Sequence, residues 1–315
     1  MSHEPVIRSF FDANTFSYSY VVSDPDTGAA AVIDSVFDYE QGSSRISTRS
    51  ADEIIAYITD QELRVEWLLE THVHADHLSA AGYLNRHLGG RSAIGDQIGS
   101  VQRTFSEIFQ VEPDFAQDGS QFDRLLADGE RLPLGSLTVE VMHTPGHTAA
   151  CVTYLIGEVA FVGDTLFMPD YGTARTDFPG GDAKTLYQSI QRLLALPDAT
   201  TLYLCHDYGS PTRSSYQGQV SVREERLNNV HVHAGISEQA FVEFRQARDA
   251  ELAAPRLLYP AVQFNMRGAL APPPETNGQS YFKIPINGAA LNGPAPIGSA
   301  LNDPAPAGFA QGKKG

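Results

Sequence analysis

The chain has 315 residues, 42% hydrophobic and 19% charged, enough apolar material for one large domain or two ordinary ones and too much for disorder throughout. A net charge of −16 excludes the basic face that nucleic acid or an anionic membrane requires, so an anionic substrate would need the few cations gathered at its site. No apolar run approaches the roughly 20 residues of a bilayer span, and Met1-Ser2-His3-Glu4-Pro5 does not begin a basic-then-apolar leader, so a cytoplasmic location is expected.

Taken in chain order, Val6 to Phe11, Ser17 to Ser23 and Ala29 to Ile33 read as short strands, the last two joined by the turn Asp24-Pro25-Asp26-Thr27-Gly28. The polar stretch Glu40 to Arg49 reads as a loop. Ser50-Ala51-Asp52-Glu53 resembles a capping box that opens a helix running through Ile58. Val65 to Glu70 is a buried-type strand that delivers the chain into Thr71-His72-Val73-His74-Ala75-Asp76-His77. Ala80 to Leu88 is predicted helical with Gly89-Gly90 as its C-cap, and Ile98 to Phe109 is a second helix.

Further strands are predicted over Leu137 to Met142, ending in His143-Thr144-Pro145-Gly146-His147, and over Val159 to Val162, ending in Gly163-Asp164. Ala183 to Leu196 reads as a helix and Thr201 to Leu204 as a strand that ends in His206-Asp207. Cys151 and Cys205 lie in apolar strand-like runs and read as small buried thiols of a reducing compartment, not as a disulfide or a nucleophile. Val222 to Leu227 and Glu238 to Leu252 are predicted helices of the C-terminal extension within a domain covering 1–288. Residues 289–315, rich in Gly, Pro and Ala, read as a flexible tail.

Every candidate ligand thus falls at a strand end or in the loop just after it. Imidazole and carboxylate are good ligands for zinc or iron, and His72, His74, Asp76 and His77 lie within six residues. Ordinary core packing cannot satisfy four such groups after a buried strand, so the cluster points to metal. His147, Asp164 and His206 are weak signals singly and complete the set together.

The pattern H-x-H-x-D-H followed by single His, Asp and His ligands resembles the metallo-β-lactamase superfamily over about residues 5 to 230. The resemblance implies an α+β fold, an αββα sandwich of two mixed β-sheets flanked by helices, with the site at one edge between the sheets. At finer grain Gly163-Asp164-Thr165-Leu166-Phe167, Gly172 to Phe178 and Cys205-His206-Asp207-Tyr208 resemble the persulfide dioxygenases related to the ethylmalonic encephalopathy protein. So do Val222 to Arg226 with Asn228, and Asn265-Met266-Arg267, the latter as in longer bacterial members. That resemblance implies one Fe(II) on His72, His147 and Asp164, a two-His-one-carboxylate set with open positions for substrate and O₂. His206 joins these as a catalytic residue, and His74, Asp76, His77 and His206 are candidates to orient the ligands and move protons or to hold a second metal. It also implies glutathione contacts from Arg175 and Tyr208, with Arg226 a weaker candidate whose alternative is a solvated helix face, and a family tendency towards homodimers.

One departure is Thr173, where compact members often carry a cysteine, so a thiol-dependent mechanism is not expected here. The expected reaction is oxidation of glutathione persulfide by O₂ to sulfite and glutathione. The alternative is a dinuclear zinc hydrolase of the glyoxalase II type, with His72, His74 and His147 at one ion, Asp76, His77 and His206 at the other, and Asp164 bridging.

Overall fold

The structure, a computed structural model, describes residues 4–211 and 213–286. The predicted tail 289–315 lies outside the described residues. In chain order the first half comprises β1 (Val6–Asp12), β2 (Ser17–Ser23), β3 (Ala29–Ile33), β4 (Val36–Glu40), β5 (Arg45–Ser47), α1 (Arg49–Asp60), β6 (Arg64–Leu69), β7 (Leu78–Ser79), α2 (Ala81–Leu88), β8 (Arg91–Gly95), α3 (Ile98–Phe109) and β9 (Arg124–Leu126). There follow β10 (Arg131–Leu134), β11 (Leu137–His143), β12 (Val152–Ile156), β13 (Val159–Phe161), α4 (Ala183–Leu194), β14 (Thr201–Tyr203), β15 (Gln219–Ser221), α5 (Val222–Asn228), α6 (Glu238–Asp249) and α7 (Leu258–Asn265).

Two six-stranded sheets carry the fold, one in the order β1-β2-β3-β6-β8-β9 and the other β10-β11-β12-β13-β14-β15. Both are mixed: the pairs β3–β6, β6–β8, β8–β9 and β13–β14 are parallel, while the remaining pairs in the two sheets are antiparallel. Side-chain alternation explains the layering. Tyr18, Tyr20, Val22, Ala31 and Ile33 point between the sheets and meet Val139, Val141, Tyr154 and Phe161. From the same strands Val21, Ala30 and Val32 point outward onto Ile54 and Ile58 of α1, Leu84 of α2 and Phe264 of α7. On the other outer face Leu186, Ile190 and Leu193 of α4, with Phe241 of α6, cover Ala160, Val162 and Leu202. Strands buried on both sides read as continuous apolar runs, which is why these were visible in the sequence. The layers are helix, sheet, sheet, helix, as the resemblance implied.

Two buried tyrosines tie the sheets together where ligand loops begin. Tyr154 of the second sheet donates its hydroxyl to Glu70 O, just past β6, at 2.7 Å. Tyr20 of the first sheet donates to Leu204 O, just past β14, at 2.6 Å. A buried phenol requires such an acceptor, and here each hydroxyl also fixes the chain two residues ahead of a histidine.

The stretch predicted as a loop over Glu40 to Arg49 is largely a hairpin: β5 pairs antiparallel with the end of β4, through Tyr39 opposite Ile46. Its outer strand is fully exposed and so carries no hydrophobic signal. The predicted capping box is not formed. α1 starts earlier, with Thr48 as N-cap, because Asp38 on β4 takes the Ser50 N–H and hydroxyl, at 2.8 and 3.1 Å.

Candidate metal centre

The ligand loops all leave the carboxyl ends of strands. β6 leads into His72 to His77, β11 into His147, β13 into Asp164 and β14 into His206. Two glycines make the approach possible. Gly146, with φ +135°, would place a Cβ 2.3 Å from the Leu186 backbone. Gly163, with φ +54°, would place one 2.7 Å from Thr71 Oγ1. Neither contact leaves room for a side chain, and both conformations favour glycine.

The seven predicted ligands converge. His72 Nε2 lies 3.8 Å and His147 Nε2 3.7 Å from Asp164 Oδ2, and His206 Nε2 lies 3.1 Å from Asp76 Oδ2 and 3.3 Å from Asp164 Oδ1. His72, His147 and Asp164 form one group of mutually close donor atoms, and His74, Asp76, His77 and His206 form a second. Asp76 is half-buried and the other six are buried.

Each imidazole is oriented by one nitrogen and presents the other. His72 Nδ1 meets Thr71 Oγ1 at 3.0 Å, His147 Nδ1 meets Arg175 O at 2.8 Å, and His77 Nδ1 meets Ser17 Oγ at 3.3 Å. His206 Nδ1 lies 3.3 Å from Ser17 Oγ, and His74 Nε2 lies 3.0 Å from Asp34 Oδ1. The opposite nitrogens of His72, His74, His77 and His206, with Asp76 Oδ2 and Asp164 Oδ1, are buried without a hydrogen-bond partner. Such atoms are costly to leave unpaired. Oriented imidazoles with free inner nitrogens beside free carboxylate oxygens are the donor set of a first-row transition metal. The residues present therefore fit a metal.

The electrostatics agree. Burial, helped by His74, holds His72 well below the usual imidazole range, so it stands deprotonated as a metal ligand must. Burial would raise Asp76, but His206 and His77 more than offset it and keep that carboxylate ionised. Burial pushes Cys151 up to about 12 and also raises Cys205, so both are buried thiols as expected from sequence.

Several residues were not foreseen. Asp34, at the end of β3, accepts from Thr71 N and Thr71 Oγ1 at 2.8 Å each and fixes His74. Its signal was the same strand-end position that flagged the histidines. Asn265, at the end of α7, donates to His74 O and His77 O and accepts from Ser79 N, each at 2.8 Å.

A cavity of about 480 Å³ opens above the cluster, lined by Asp76, His147, Asp164, Phe167 and Tyr208 among others. Tyr208 stacks on His206 with ring centroids 5.3 Å apart. Arg175 also lines the cavity, but its fork grips Asp177 at 2.6 Å twice, and Nη1 donates to Ala253 O at 2.7 Å. Arg226 is not brought to the site: its guanidinium binds Asp198 and the carbonyls of Leu194 and Leu196, closing the end of α4. Among the described residues no helix is long and apolar enough to cross a membrane.

Comparison with known proteins places this geometry. The sequence model of the Metallo-beta-lactamase superfamily matches residues 13–206. A probable metallo-hydrolase of Burkholderia pseudomallei is 53% identical over 89% of the chain and 99% of its own length. Glyoxylase B2 of Dictyostelium discoideum is 46% identical over 91% and 99%. The mitochondrial persulfide dioxygenase ETHE1 of Bos taurus is 28% identical over 85% and 91%. Among solved structures ETHE1 from Myxococcus xanthus superposes with a TM-score of 0.67 at 29% identity, covering 84% of this chain and 99% of that one. The strand-end histidines, the two facing sheets and the matched span agree: the chain belongs to the metallo-β-lactamase superfamily.

Proposed function

We propose that the protein is a non-haem iron persulfide dioxygenase that converts glutathione persulfide, O₂ and water into glutathione and sulfite. The observation that carries this reading is the group His72, His147 and Asp164, two histidines and one carboxylate with edges of 3.7 and 3.8 Å to Asp164, of which His147 and Asp164 line the cavity. Three protein ligands would leave positions open for a sulfur and for O₂, which a fully ligated structural site would not. The likeness to the ETHE1 proteins in sequence and in fold supports the same reading.

His72, His147 and Asp164 would hold the iron, which when bound supplies redox activation of O₂ and a Lewis-acid contact to the persulfide sulfur. The chain's own groups do the rest. Thr71 Oγ1 and Arg175 O set the ring planes of His72 and His147. Phe167, Tyr171 and Tyr208, in mutual ring contact, wall the cavity beside the metal cluster. Both atoms of O₂ and one oxygen of water end on the outer sulfur, and the S–S bond breaks with its electron pair left on the glutathione thiolate. The departing glutathione thiolate needs a proton beside the reacting sulfur. His206, between Asp76 and Asp164 and held well above the usual imidazole range by Asp76 despite burial, carries a proton there.

A specific observation favours a second reading. His74 Nδ1, His77 Nε2 and His206 Nε2 are free and, with Asp76, form a second ligand group. This is enough for two zinc ions and a hydroxide that attacks a thioester, and the relatives described as a metallo-hydrolase and a glyoxylase support it. One comparison separates the two. Under the dioxygenase reading the protein forms sulfite from glutathione persulfide, and His72→Ala loses this activity by at least about 100-fold. Full sulfite formation by His72→Ala removes the iron assignment. Rapid hydrolysis of S-lactoylglutathione without any sulfite formation replaces the reading with the thioesterase.

A further inference from the structure

We infer that Arg248 and Arg256, on the outer wall of the cavity, select thiol adducts that carry free carboxylates. The inference rests on the reading of a glutathione-type substrate above and names residues for its recognition that no sequence motif flagged.

The argument starts from charge. The chain carries −16 overall, and an anion entering a site whose floor holds Asp76 and Asp164 is repelled unless cations stand at the entrance. Four arginines line the cavity: Arg175, Arg245, Arg248 and Arg256. Two are already neutralised. Arg175 is clasped by Asp177, and the buried Arg245 pairs with Asp249 at 2.7 Å while donating to Thr173 O. Arg248 and Arg256 are exposed, and among the described residues no carboxylate pairs with either. They are the cations left for a ligand.

Their placement is built into the chain. Residues three apart share a helix face, so α6 presents Arg245 and Arg248 to the cavity together, and the segment after it adds Leu252, Pro255 and Arg256. The opposite partner is His231. Its Nδ1 accepts the Thr173 N–H at 3.0 Å, which leaves the proton on Nε2 as a donor. Burial first, and then the charges of Arg245 and Arg248, push this imidazole down to about 4. His231, Arg245, Arg248, Leu252, Pro255 and Arg256 lie beyond residue 206, where the superfamily match ends, so the wall is a property of the chain's C-terminal part. An arginine fork matches a carboxylate in shape and charge, and two such forks at the mouth suit a ligand with two carboxylates whose sulfur reaches the metal cluster below.

The test is calorimetric. S-methylglutathione, which cannot react, is titrated into the metal-loaded full-length protein and into Arg248→Ala, Arg256→Ala and the double variant. Each single variant should bind about 10-fold more weakly, a loss in the range of one hydrogen bond to a charged group, and the double variant more weakly still. The dimethyl ester of the same compound should bind weakly to all four proteins. The inference is overturned by a double variant within about twofold of wild type, by wild type binding ester and acid equally, or by wild type not binding the acid. Metal content and persulfide-dependent O₂ uptake of the wild-type protein score the parent reading separately. Normal O₂ uptake with unaltered affinity in the double variant removes only the role of these arginines.

Discussion

Asn265 makes three main-chain hydrogen bonds to the segment that holds His74, Asp76 and His77, although it lies 186 to 191 residues away in sequence. A short ligand-dense loop has no regular backbone pairing of its own, so its carbonyls and N–H groups need side-chain partners to stay ordered while buried. Asn265→Ala leaves two carbonyls and an N–H unpaired. It should lower metal affinity about 10- to 100-fold, the usual effect of removing support behind metal ligands, with the fold retained. Competition against a graded series of chelators measures this, and wild-type metal retention in the variant would show that the loop holds itself. At this scale the sequence was legible for the candidate ligands, which the fold brings together, and not for their supports. Histidines announce themselves by chemistry and spacing, whereas Asp34, Ser17 and Asn265 are ordinary residues whose role exists only once three strand ends and a distant helix meet. Arg226 shows the converse: an arginine in a suggestive motif whose guanidinium caps the end of α4.

Among the elements, α5 places Glu225 in full burial, where one oxygen accepts from Asn229 Nδ2 at 2.7 Å and the other has no partner. Burial pushes this carboxyl up to about 8 from its ordinary 4.5. The native state therefore binds a proton that the unfolded chain releases across that window. Stability contributed by the protonated form is present below pH 4.5 and is lost as pH rises through about 8. Glu225→Gln keeps the Asn229 contact without a charge. It should match wild type near pH 4 and exceed it on the order of a few kcal/mol near pH 9, measured by urea unfolding at both values. An equal pH dependence in the two proteins would mean that Glu225 is ionised in the fold. The elements that sequence reading located well are those with a periodic buried face, such as α3, found over Ile98–Phe109 as expected. β5 escaped because it is exposed throughout, and β8, β9 and β10 because each is short and opens on an exposed arginine that interrupts the apolar run. α7 escaped for the opposite reason: most of its residues are buried, so no polar face marks its period.

For the molecule as a whole, the sandwich brings strand ends from two sheets to one edge, and Tyr20 and Tyr154 lock that edge across the interface. Sequence order alone could suggest this only by resemblance, because the pairing of β3 with β6 and of β13 with β14 joins segments separated by a helix or a long loop. The architecture serves either one metal or two, so the number and kind of ion decide between the two chemistries. Elemental analysis of anaerobically purified protein, paired with O₂ uptake on addition of glutathione persulfide, tests this most directly. The account predicts about one iron per chain and O₂ consumption that depends on the persulfide. Two zinc ions per chain with no O₂ uptake would contradict it and leave the thioester hydrolase in its place.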